Sequence, residues 1–213
     1  MIEPEELSAY LASRVCHDLV SPVSSINTSL EFIDDPRESD MHERANSLLR
    51  KGAADASDRL QFLRYAFGTM GLSDGAADIH QAKHLTEKFV ATHKPSVEWD
   101  IETDHLSFSH VRLMMNLVML GMESLPRGGV IHVRVRNEAN GMMISATAKG
   151  VRASIKGDSK TALEGGVPEE GWSAQTVQPL FALMLAKGLG GSIGVSTGEE
   201  VAVYTAHGIR AEG

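Results

Sequence analysis

PEELSAYLASRVCHDLVSPVSSINTSLEFID, residues 4–34, decides the architecture of the first third of the chain. Leu7, Leu11, Val15, Leu19, Pro22, Ile26, Leu30 and Ile33 recur at steps of three and four. At about 100° per residue they form one apolar stripe along a helix, and Pro4 suits its first position. Asp34-Asp35-Pro36-Arg37-Glu38 supplies a stop and a restart, with Asp35 as cap, Pro36 at N1 and Glu38 closing a capping box. Met41, Ala45, Leu48, Gly52, Ala56, Leu60, Leu63 and Phe67 then make a second stripe. So short a break permits only an antiparallel hairpin. Each helix of about 30 residues spans ~45 Å. A lone hairpin of that length leaves apolar surface in water, so pairing with a second copy as a four-helix bundle is expected. The alternative is a monomer whose second half covers the stripe.

The whole chain has 213 residues, enough for one domain or two small ones. Its 42% hydrophobic and 23% charged residues are those of an ordinary globular protein. A net charge of −8 gives no electrostatic case for binding nucleic acid. Cys16 is the only cysteine, which excludes an internal disulfide framework and a cysteine zinc cluster. The acidic start MIEPEE is unlike a signal peptide, and Leu113 to Met122 is too short for a membrane span. A cytoplasmic protein that binds neither membrane nor nucleic acid is expected.

Texture changes near Gly68–Gly75. Before it the only glycines are Gly52 and Gly68, and the rest of the 20 follow it. The expected domains are residues 1–70 and 75–213. In the second, Ile79 to His93, Ser109 to Leu125 and Thr176 to Leu189 read as helices. Strands are expected at 97–101, 130–135, 142–148, 192–197 and 200–206, with a hairpin about Asn140-Gly141 and a loop over roughly 150–175. The fold class is α+β, with helices on one face of a mostly antiparallel sheet.

His17 lies about 240° around the first helix from Leu11, almost opposite a stripe centred near 40°. Ser13, Ser21, Ser24 and Thr28 share that face, leaving it open to a protein partner. Geometry alone allows a merely solvated histidine. The segment His17-Asp18-Leu19-Val20-Ser21-Pro22, however, resembles the phosphoacceptor H-box of histidine kinases, His-Glu/Asp-x-x-Thr/Ser-Pro. A neutral imidazole offers a nucleophilic nitrogen. Asp18 is a candidate to orient the ring, although neighbouring helical residues do not face each other. Ser21, one turn on, is a candidate to hydrogen-bond a phosphoryl group. Pro22 has no N–H for the Asp18 carbonyl, which either bends the helix at the site or is simple curvature.

The second half resembles the ATPase domain of histidine kinases, the GHKL fold, with its boxes altered. Asn116-Leu117-Val118-Met119-Leu120-Gly121 with Leu125-Pro126-Arg127-Gly128-Gly129 is similar to the N-box, but Leu120 stands where the magnesium ligand belongs. Ala148 and Arg152 replace the aspartate and second glycine of Asp-x-Gly-x-Gly, and Thr176-Val177-Gln178-Pro179 replaces the glycine lid. The whole chain therefore resembles the ChpT-type histidine phosphotransferases of alphaproteobacteria. That resemblance implies a phosphoryl group taken by His17 from the receiver of a CckA-like hybrid kinase and passed to CtrA-like and CpdR-like regulators. It implies no nucleotide or metal on this chain, with Mg²⁺ in the receiver. Arg14, Val20, Ser24 and Arg64 are the candidate docking residues. An adaptor that only sequesters regulators and an atypical histidine kinase are the competing readings.

Weaker signals read blandly. His80 and His84 share a helix face without a third zinc ligand. Val15 and Leu19 suggest partial burial and an inert thiol at Cys16. Met114, Met115, Met119 and Met122 read as core. Light scattering on the purified chain is expected to give twice its 23.0 kDa mass, and a clean monomer would contradict the bundle.

Overall fold

A computed structural model describes residues 2–35, 41–68, 75–103 and 105–211, which hold six helices and five strands. The sequence-expected hairpin is α1, Pro4–Asp34, and α2, His42–Phe67. Pro4 opens α1 behind Glu3, whose backbone N–H faces the Glu6 carboxylate as in a capping box. Asp35 is the residue that ends α1, and the restart expected at Pro36 to Glu38 lies outside the described residues. Among the described residues the second helix runs from His42.

The stripe is only partly covered within one chain. Pro22 and Ser29 of α1 are buried, and Val15 and Leu19 pack against the main core. Leu30, Leu48 and Leu60 remain 42%, 45% and 53% exposed. The second half does cover the C-terminal turns of α2, where Phe62, Leu63, Tyr65 and Ala66 are almost wholly buried. Phe62 stacks on Phe89 with ring centroids 3.9 Å apart.

The second half is α3 (Ile79–Ala91), β1 (Ser96–Ile101), α4 (Phe108–Glu123), β2 (Val130–Glu138), β3 (Gly141–Lys149), α5 (Gly157–Leu163), α6 (Val177–Gly188), β4 (Ser192–Gly198) and β5 (Val201–Ile209). The short α5 interrupts what the sequence reads as a loop. It has too few residues for a periodic pattern to declare itself. The sheet order is β1-β2-β3-β5-β4, parallel only between β1 and β2. α4 connects that parallel pair, as a crossover requires.

Strand alternation sends one set of side chains toward the helices. Val133, Ala146 and Tyr204 pair across three strands, as do Ile131, Ala148 and Ala202, and all six are buried. The opposite face is a charge ladder in which Glu98 meets His132 at 2.9 Å and Asp100 meets Arg134 at 3.1 Å. Met114, Met115 and Met119 fill the core beneath α4 as expected, with Met122 at its edge. Gly129 has φ 142°, and a Cβ there would stand 2.2 Å from the Lys149 carbonyl oxygen, so only glycine fits this turn into β2.

α2 ends inside this half. Arg112 donates from Nε to the Ala66 carbonyl at 3.1 Å and from Nη2 to the Phe67 carbonyl at 2.7 Å. Asn116 Nδ2 donates to the same Ala66 oxygen at 3.1 Å. These are carbonyls that a helix end leaves without an intrahelical donor.

His110 caps α4 from within the fold. Its Nδ1 accepts the Ser107 N–H at 3.1 Å, so Nε2 carries the proton donated to the Arg210 carbonyl at 2.7 Å. Burial lowers the His110 pKa, and the bond to Arg210 only partly offsets this. Unfolded histidine titrates near 6.5. The native group resists protonation, so its contribution is complete above about 6.5 and is lost as pH falls from there through the depressed native value. Desolvation lowers His93 as well, in the same direction. The unfolding midpoint is expected to fall between pH 7.5 and 5.5, and His110→Gln is expected to flatten that dependence in a thermal melt.

Candidate functional site

The His17 side chain is 67% exposed on α1, on the open face its helical position predicts. Its Nδ1 lies 3.1 Å from Asp18 Oδ1. An ionised carboxylate can only accept, so Nδ1 is the donor, and in the neutral ring Nε2 keeps its lone pair. Asp18 thus reaches its neighbour although adjacent helical residues normally diverge. What bends it back is Arg14, one turn earlier, whose Nε donates to Asp18 Oδ2 at 3.1 Å.

Arg14 is the main correction to the sequence reading. It is not a docking residue on the surface but is buried, and its Nη2 meets Glu123 Oε1 of α4 at 2.7 Å. Burial opposes its charge, but Glu123 and then Asp18 outweigh that and raise its pKa above the ordinary arginine value. The spacing from Arg14 to Asp18 is visible in sequence as an i,i+4 pair. The bond to Glu123 is not, because nothing local links α1 to the end of α4.

Pro22 leaves the Asp18 carbonyl without its helical donor, and Arg59 of α2 supplies one, Nη1 to oxygen at 3.0 Å. The helices can meet closely there because Gly52 is buried opposite. A Cβ on it would stand 3.1 Å from Ile26 Cγ1 and 3.3 Å from the Pro22 oxygen. Ser21, exposed one turn beyond His17, opens onto a small polar recess shared with Ser25, Lys51, Asp55 and Arg59. Sequence reasoning did not single out Arg59.

The remaining candidates divide. Val20 is 60% exposed and Ser24 is exposed, as docking residues must be. Arg64 is exposed but lines an apolar groove with Leu11, Val15, Leu60 and Phe67 rather than the recess at Ser21. Cys16 is exposed, contrary to the partial burial expected from Val15 and Leu19, because those two turn toward the core and it does not. His80 and His84 are both exposed, and no group of three or more metal-binding side chains occurs among the described residues. No helix among them is long and apolar enough to cross a membrane.

Between α1 and the second half lies a cavity of about 560 Å³, with Arg14, Asp18, Phe89, His93, Met122 and Glu123 in its wall. The acceptor candidate therefore stands beside a cleft that both halves build. The model of a family described as the histidine phosphotransferase C-terminal domain matches residues 79–201. Protein phosphotransferase ChpT of Brucella abortus (strain 2308) is 33% identical over 201 residues, 94% of this chain and 95% of that protein. The chain belongs to the ChpT-type histidine phosphotransferases.

A solved bacterial phosphotransferase superposes with a TM-score of 0.86 and 31% identity, over 97% of this chain and 98% of that one. The Acinetobacter baumannii histidine kinase AdeS matches with a TM-score of 0.51 at 13% identity, over 89% and 95% of the two chains, a likeness of fold alone. As a ChpT-type phosphotransferase the protein works in two-component signalling.

In this phosphotransferase the positions that the sequence resemblance sets against the kinase boxes are Leu120, Ala148, Arg152 and Thr176 to Pro179. Leu120 is 1% exposed in the core. Ala148 is buried mid-sheet between Ile131 and Ala202. Arg152 has a left-handed backbone, φ 62°. Pro179 sits inside α6, and its neighbour Gln178 donates to Asn116 O at 3.0 Å and Oδ1 at 3.1 Å. α4 and α6 are thereby joined directly.

Arg59→Met is expected to lower stability by about 1 kcal/mol, the worth of one hydrogen bond. Pro22→Ala restores the missing N–H, so the loss should shrink in that background. Urea unfolding at fixed protein concentration reads the cycle, and strict additivity would contradict the bond.

Proposed function

We propose that His17 accepts a phosphoryl group from a receiver-domain aspartyl phosphate and passes it to the aspartate of a second receiver. The observation that carries this reading is one imidazole, exposed on a helix face of small residues, with Nδ1 engaged by Asp18 and Nε2 open. In the forward step the Nε2 lone pair attacks phosphorus, the P–O bond to the donor aspartate breaks, and that carboxylate leaves with the electron pair. The Nδ1 proton stays on the ring against Asp18, whose negative charge offsets the charge the imidazole gains. In the second step the acceptor carboxylate attacks, the N–P bond breaks and the lone pair returns to Nε2. A Mg²⁺ held by the receiver would supply charge neutralisation at the phosphoryl oxygens, and this chain supplies the nucleophile and its alignment.

The phosphoryl group comes from a receiver rather than from nucleotide. Supporting this, Leu120, Ala148 and Pro179 stand where a kinase of this fold would need a cation ligand, an adenine acceptor and a phosphate-binding loop. The donor is the receiver of a CckA-like hybrid kinase, and the acceptors are CtrA-like and CpdR-like regulators. Val20 and Ser24 border the docking surface. The working species is a homodimer, favoured by the exposed Leu30, Leu48 and Leu60 along the hairpin.

Incubation with a ³²P-labelled receiver is expected to place an acid-labile label on the wild-type chain and none on His17→Ala. Incubation with labelled ATP alone should leave both unlabelled. Label from ATP would mark a kinase, and a His17→Ala protein that still suppresses regulator output in cells would mark a sequestering adaptor.

A further inference from the structure

Four side chains from both halves form an unbroken polar chain. Glu123 Oε1 accepts from Arg14 Nη2 at 2.7 Å, Arg14 Nε donates to Asp18 Oδ2 at 3.1 Å, and Asp18 Oδ1 accepts from His17 Nδ1 at 3.1 Å. Exposure falls from 67% at His17 to 12% at Asp18 and 10% at Arg14, and is 24% at Glu123. A helix does not by itself bring the side chain of residue 18 onto that of residue 17. The contact exists because Oδ2 is held on one side, which turns Oδ1 toward the ring. Arg14 can hold it because its planar fork is pinned at the other end by Glu123.

We propose that Arg14 and Glu123 are positioning residues for phosphoryl transfer, so that the C-terminal half sets which nitrogen of His17 is nucleophilic. The inference rests on the transfer reading for its kinetic consequence. The orientation it describes is a property of the unphosphorylated protein. With the chain intact, His17 holds its proton on Nδ1 and presents Nε2. With Glu123 gone, Arg14 is tethered at one end only, Asp18 takes up other rotamers, and the ring exchanges between its two tautomers. The second half is thereby part of the reacting site without touching the phosphoryl group.

The test uses the full chain. Side-chain ¹⁵N–¹H correlation spectra of ¹⁵N-histidine-labelled protein report the His17 tautomer, with His17→Ala fixing the assignment. Wild type is expected to show the Nδ1–H form. Glu123→Ala and Arg14→Met are expected to show a mixture and to slow label transfer from a phosphorylated receiver about tenfold. Glu123→Gln, which keeps an acceptor of the same reach, should fall between them and wild type. It also serves as the readable variant if Arg14→Met fails to fold. An unchanged tautomer in Glu123→Ala overturns the proposal, even if transfer slows. A wild-type His17 protonated on Nε2 overturns it as well. A wild-type protein that shows the Nδ1–H form but takes no label would sink the transfer reading and leave the positioning chain standing.

Discussion

The carbonyls at the end of α2 cannot be left bare inside a protein core, and the way they are satisfied governs the rest of the molecule. Arg112 and Asn116 bind Ala66 and Phe67, which ties the hairpin to α4. Gln178 then ties α4 to α6. Each buried acceptor left unmet would cost roughly 1–3 kcal/mol, so this junction strongly favours one arrangement of the two halves. Phe62 stacked on Phe89 adds an apolar clamp beside it. With α2 fixed, α1 is fixed through the hairpin, and Arg14 arrives within reach of Glu123.

What was legible in the sequence is what local periodicity encodes. The stripe from Leu7 to Ile33, Pro4 at the first turn and the alternation in each strand all report on backbone geometry within a few residues. The position of His17 on the open face follows from the same arithmetic. Arg14 was misjudged because a lone arginine on a helix reads as solvated. Its burial depends on a carboxylate far along the chain. Cys16 was misjudged for the opposite reason, since apolar neighbours in sequence point elsewhere around a helix. The short α5 escaped because two turns give periodicity too little to work with. The bonds from Gln178 to Asn116 were not legible, because they join residues 62 apart in the chain.

The bonds from Gln178 to Asn116 hold α6 against α4. Arg152 holds a left-handed backbone, φ 62°, in the turn that follows β3. The outcome is a scaffold that holds the wall of the 560 Å³ cleft beside His17 in place.

Glu123 is the final residue of α4, directly ahead of the turn into β2. Its bearing toward α1 is therefore counted out in helical turns from Phe108. Inserting or deleting one residue in that helix would swing the carboxylate by about 100° and shift it by about 1.5 Å, out of line with Arg14. The number of residues in a buried, largely apolar helix is thus under the same constraint as the chemistry of the imidazole at the surface.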